Sequence, residues 1–222
     1  MQHTDHPPAG SDANALHRHW LRYRRFAELE GTPWANGLGV TTEIVSVSES
    51  ARLLERLGLS TDTGWRLSVA TLDQPAAFSK LPGLNRTFMP IGGDVVLAVD
   101  GVEHHIRSGT PHSFSGDAET ELRVLSEPCR AVNFMSTGLG LGMSRSLPEH
   151  ATPIALIALA PATSADSAGS IASAPVPAGP AEEEGANANG IAKFDLLIPS
   201  LAEESHAETR APGSAAVIFD LG

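Results

Sequence analysis

The chain has 222 residues, 41% of them hydrophobic and only 5% aromatic, with 15 lysines and arginines against 26 aspartates and glutamates, a formal charge of −11. That length suits one domain or two small ones, and the acidic balance supplies no counter-charge for phosphates or anionic lipid, which argues against electrostatically driven binding to nucleic acid or a membrane surface. A single cysteine, Cys129, leaves no intramolecular disulfide and no cysteine-based zinc site, and fits a reducing compartment, so a cytoplasmic location is expected.

Residues 1–19 are polar and carry no apolar run, so they read as a disordered tail, neither signal peptide nor anchor, and the folded domain is expected over 20–222. Strand-like runs follow at 21–26, 40–47, 85–91, 95–99, 102–106, 122–125 and 131–135, mostly divided by Gly, Pro, Asp or Asn. Around residue 65 the alternation is plain, with Trp65, Leu67 and Val69 on one face and Arg66 and Ser68 on the other, which is the two-residue period of a strand. Asp100-Gly101 favours the positive φ angles of a type I′ turn and predicts a hairpin over 95–106. One helix is expected over 50–58, with Leu53, Leu54 and Leu57 on a shared face, Ser50 capping the start and Gly58 the end. Many short strands in close succession predict an all-β sandwich or barrel.

Between residues 161 and 190, Ala, Gly, Ser and Pro make up 21 of 30 positions, a composition that buries too little surface to offset its ordering entropy. It reads as a flexible internal insertion, because strand-like runs resume at 192–198 and 215–220. From residue 160 onward there are nine acidic and two basic residues, so most of the net charge lies there and the body is only mildly acidic.

Several chemistries lack their residues. There is no Gly-x-Ser-x-Gly turn, no phosphate loop ending in Gly-Lys-Ser/Thr, and no His-Glu-x-x-His helix. Gly138-Leu-Gly-Leu-Gly142 is not followed by a helix of useful length and reads as an inter-strand turn. His104 and His105 are adjacent on an expected strand and point to opposite faces, which leaves His112 as the one partner for a metal site; no metal and no cofactor are predicted.

What remains is a constellation. Pro33-Trp-Ala-Asn-Gly-Leu-Gly-Val-Thr-Thr-Glu43 sets an aromatic wall (Trp34), an amide (Asn36), two permissive glycines and a carboxylate (Glu43) at the mouth of a strand. If the polar face carrying Arg66 and Ser68 looks into a barrel lumen, Arg66 and Arg86 can hold a small carboxylate bidentately. The competing reading packs Trp65, Leu67 and Val69 inward, with the arginines solvated or paired to Glu43 or Asp117.

Five blocks in series, Pro33-Trp34-x-Asn36-Gly37-x-Gly39-Val-Thr-x-Glu43-Ile44, Trp65-Arg66-Leu-Ser68-Val-Ala70, Phe78-Ser79-x-x-Pro82-Gly83-x-x-Arg86-Thr87, Phe114-x-Gly116-Asp117 and Asn133-x-Met135, resemble the HutD/Ves family over roughly 21–135. The resemblance implies an RmlC-like cupin fold, a double β-barrel (bicupin) in one chain without the usual cupin metal ligands. It implies a role in histidine utilisation as a metal-independent binder of a small carboxylate metabolite of the N-formylglutamate or urocanate type, regulatory more than catalytic. Carried over position by position, the ligand-binding candidates are Trp34, Asn36, Glu43, Arg66, Ser68, Arg86 and Asn133. The chain departs from the family pattern at Ala35, Leu38, Thr42 and Asn85, where Lys, Gly, Arg and Asp are usual; the missing cations place more weight on Arg66 and Arg86. The alternative is a metal-independent enzyme acting on a small acid or sugar-like substrate with Glu43 or His112 as general base. Neither nucleic acid nor membrane is an expected partner, and exposed sheet edges permit self-association without predicting a symmetry.

Overall fold

The computed structural model describes residues 20–137, 140–161, 191–199 and 214–221. In chain order the strands are β1 (Trp20–Arg24), β2 (Gly31–Pro33), β3 (Val40–Val45), β4 (Trp65–Leu72), β5 (Ala76–Ala77), β6 (Asn85–Ile91), β7 (Val95–Val99), β8 (Val102–Ile106) and β9 (His112–Ser115), followed by β10 (Thr120–Leu125), β11 (Cys129–Ser136), β12 (Leu141–Ser144), β13 (Thr152–Ala158), β14 (Leu196–Pro199) and β15 (Ala215–Asp220). A short 3-10 turn, Phe26–Glu28, and a single α-helix, α1 (Val47–Arg56), complete the described elements.

The strands form three antiparallel sheets. Six run in the order β2-β3-β4-β11-β6-β9, four in the order β5-β10-β7-β8, and five in the order β1-β14-β13-β15-β12. The six-stranded sheet lies between two cores, and residue parity decides which core a side chain joins. Trp65, Leu67 and Val69 of β4, with Val132 and Phe134 of β11, pack with Leu53 and Leu54 of α1 and with Ile154, Leu196 and Ile218 of the five-stranded sheet. On the opposite face, Leu72, Phe88 and Ala131 meet Val95, Leu97, Ile106 and Leu122 of the four-stranded sheet. These two facing sheets form a cupin-like barrel, and the all-β expectation holds.

Local chemistry explains the connections. Asp100 and Gly101 have φ of 48° and 81°, as a type I′ turn requires, and Val99 lies opposite Val102 in the expected hairpin. The helix, however, begins earlier than the leucine stripe predicts. Its N-cap is Ser46, in a capping box: the Ser46 hydroxyl accepts the Glu49 N–H and the Glu49 carboxylate accepts the Ser46 N–H, satisfying two of the first-turn donors. Ser50 is instead buried in the first turn, where its hydroxyl donates to the Val47 carbonyl at 2.7 Å and accepts the Trp65 N–H at 3.0 Å, tying α1 to the start of β4. Gly58, at φ +68°, follows the last turn as expected. The run 40–47 is accordingly a strand only to Val45, since Val47 is already helical.

Gly142 also departs from expectation. It lies inside β12, not in a turn, and a Cβ there would sit 2.6 Å from the Phe219 ring, so glycine makes room for that ring against the strand. Beyond the barrel the described residues hold one further sheet, the five-stranded one; the predicted tail 1–19 and nearly all of the predicted insertion lie outside the described residues. Among the described residues no helix is long and apolar enough to cross a membrane.

Candidate functional site

Residues directly opposite each other in antiparallel strands share a face, and β11 pairs with β4 on one side and β6 on the other. Met135 therefore stands opposite both Arg66 and Arg86, and Asn133 opposite both Ser68 and Phe88. One row continues from Arg86 to Phe114 and the next joins Glu43, through Ser68, Asn133 and Phe88, to His112. The polar face of β4 thus looks into the barrel. Trp65, Leu67 and Val69 do pack inward as the competing reading had it, but into the core on the other side of the sheet.

These rows floor a pocket of about 370 Å³ whose lining includes Trp34, Asn36, Arg66, Ser68, Arg86 and Asn133, six of the seven sequence candidates. Phe78, Phe88, Leu72, Leu81 and Met135 supply apolar walls. The turn before β3 forms one side. There the Trp34 N–H donates to the Gly39 carbonyl, Gly37 (φ +69°) closes the turn by donating to the Trp34 carbonyl, and Asn36 Oδ1 accepts the Leu38 N–H. A Cβ on Gly39 would stand 2.9 Å from the Thr71 carbonyl and 3.2 Å from the indole, so glycine lets the Trp34 ring lie against the strand, where its Nε1–H donates to Thr41 Oγ1 at 2.7 Å.

Arg86 carries the electrostatics. It is 7% exposed, its guanidinium lies 5.3 Å from the Phe78 ring and 5.2 Å from the Phe114 ring, and Nη1 donates to the Ser79 carbonyl at 3.3 Å. Among the described residues it has no carboxylate partner, and its Nε–H has no acceptor. Burial, aided by the positive charge of Arg66, pushes its pKa down to about 10, so it stays cationic at neutral pH. An uncompensated buried cation in a pocket is a strong anion attractor.

Arg66 differs. It is half-buried and ion-paired with Glu43, which sits at the rim and does not line the cavity. Ser68 and Asn133 are buried beside it, and the Asn133 amide donates to the Ala131 carbonyl at 3.3 Å. His112 lies against His104 with ring centroids 4.4 Å apart and the planes tilted by 42°; burial first and His104 second push its pKa down. No cluster of three His, Cys, Asp or Glu side chains suited to a metal occurs among the described residues. Sequence reasoning passed over Phe78, Ser79 and Thr41, although Phe78-Ser79 opens the block that contains Arg86.

The chain resembles known proteins in sequence and in fold. The chain is 29% identical over 117 residues to an uncharacterised 21.2 kDa protein in the hutC 3′ region of Pseudomonas putida, covering 52% of this chain and 57% of that one. It is 32% identical over 87 residues to protein Ves of Citrobacter koseri, covering 38% and 41%. The matches thus span about half the length of these curated relatives. Two solved structures share the fold: HutD from Pseudomonas fluorescens SBW25 in a formate condition (TM-score 0.54, 18% identity, 88% of this chain and 95% of that one), and a conserved protein of unknown function from Pseudomonas aeruginosa PAO1 (0.51, 20%, 90% of each). A family model described as HutD matches residues 26–151, and because that stretch is more than half of the chain and contains every residue lining the pocket, the chain belongs to the HutD family.

Proposed function

We propose that this protein is a metal-independent cupin that binds a small carboxylate metabolite against Arg86 and thereby modulates histidine utilisation in the cytoplasm. In the same reading the five-stranded sheet belongs to a second cupin half, the two-barrel arrangement that the resemblance implies. One observation carries the ligand class: a buried guanidinium, clasped by Phe78 and Phe114 and left without a carboxylate among the described residues, lines a pocket whose other described walls are apolar or neutral apart from Arg66, which is paired with Glu43. The tie to histidine utilisation is supported by family membership and by the relative in the hutC 3′ region. A binding role is favoured over turnover because the two candidate bases are poorly placed: Glu43 is engaged by Arg66 at the rim, and His112 is not part of the pocket lining.

Calorimetric titration of the full chain with formate, urocanate and N-formylglutamate tests the reading. Binding of at least one acid is expected, and Arg86→Ala should weaken it by roughly ten- to a hundredfold, since a hydrogen bond to a charged group contributes about 1.5–3 kcal/mol. Absence of binding to every acid, or unchanged affinity in Arg86→Ala, would overturn it.

A further inference from the structure

The pocket is charged at few of its described positions. Its described lining holds two cationic side chains, Arg66 and Arg86, and no acidic one. The two flank Met135 from opposite sides in the same cross-strand row, about two strand spacings, or roughly 10 Å, apart at their Cα atoms. They are not equivalent. Among the described residues Arg86 is buried and meets a carbonyl and two aromatic faces but no acid, whereas Arg66 already holds Glu43, whose strand position opposite Ser68 puts its carboxylate on the pocket side of the sheet at the rim. Glu43 therefore cancels Arg66, and among the described residues a single positive charge is left for a ligand.

Resting on the carboxylate-pocket reading above, we propose that the Glu43–Arg66 pair sets the charge class of the ligand, so that the pocket takes monocarboxylates with an apolar or flat body in preference to dicarboxylates. A diacid anchored at one end on Arg86 presents its second carboxylate toward Arg66, where the Glu43 carboxylate already sits. Like charges brought together beside a low-dielectric wall repel strongly. The second carboxylate must either bear that repulsion or drive Glu43 off its partner. A monoacid meets neither cost, and its neutral end faces Trp34, Phe78 and Phe88, surfaces that favour apolar or planar groups. Glu43 is thus a specificity-determining residue that does not itself line the cavity.

The test compares glutarate with its monomethyl ester, matched in length and differing by one charge, by calorimetry at neutral pH and low salt, with cinnamate as a flat monoacid. The wild-type chain should bind the monoester at least about tenfold tighter than glutarate. Glu43→Gln, which frees Arg66, should cancel or reverse that preference, and Arg66→Gln, which leaves the Glu43 charge unopposed, should widen it. Glu43 is 44% exposed, so the variant should keep the wild-type melting temperature, which checks its fold. A wild-type preference for glutarate, or the same ratio in wild type and Glu43→Gln, overturns the charge-class assignment while leaving the pocket reading intact. No binding of any of the three acids to the wild-type chain overturns both.

Discussion

Arg86 illustrates how a single side chain can be good for binding and bad for folding. Its charge leaves water without gaining an anionic partner from the described chain, which destabilises the ligand-free protein. Arg86→Met keeps the aliphatic bulk and removes the charge, so it should raise the urea unfolding free energy by about 1 kcal/mol or more while abolishing carboxylate binding; a variant that loses stability and keeps affinity would contradict this. His112 makes a separate prediction in pH. Burial and then His104 depress its pKa, so on acidification the unfolded chain, with an ordinary value near 6.5, takes up its proton before the folded one. That stability is therefore fully present above about pH 6.5 and is lost as pH falls from there through the depressed folded value. His112→Gln should show a smaller drop in urea midpoint between pH 7.5 and pH 5.5 than the wild-type chain.

The junction of α1 and β4 shows what the elements depend on. Ser46-x-x-Glu49 is a capping box legible in the sequence, but the leucines one turn later and the apolar run 40–47 point to Ser50 as the helix start. The two serines consequently exchange roles. Ser46→Ala should cost about 1 kcal/mol, the usual value of a lost cap. Ser50→Ala should cost more, about 1–3 kcal/mol, because it strands the Trp65 N–H in a fully buried position. Chemical denaturation of both variants ranks them, and an equal or reversed order would show that the Ser50 bond to β4 contributes little.

Across the whole molecule the six-stranded sheet is a partition with a core on one side and a barrel, part core and part pocket, on the other. Neighbours in β4 accordingly serve different ends. Leu67→Ala, in the core against α1 and the five-stranded sheet, should destabilise by about 2–5 kcal/mol with ligand affinity retained in the folded fraction. Ser68→Ala, one residue on, should change affinity more than stability. Thermal unfolding with and without ligand separates the two, and a Leu67→Ala chain that loses affinity while folded would mean that the two faces are not independent.

Strand periodicity, the Asp100-Gly101 turn and the block from Trp34 to Glu43 were legible in the sequence, because they are set by local backbone preferences and by which residue types alternate. So were Trp34, Asn36, Arg66, Ser68, Arg86 and Asn133 of the pocket lining, six of the seven sequence candidates, since each lies within a run whose order and spacing match the HutD pattern. Alternation alone could not say which face of β4 meets the ligand, because both faces are buried and period two is blind to what covers each side. Nor could it show that Glu43 closes on Arg66 while Arg86 is left unneutralised among the described residues: those residues come from three different strands, and only the register of β3, β4, β11 and β6 brings their charges together at the pocket and its rim.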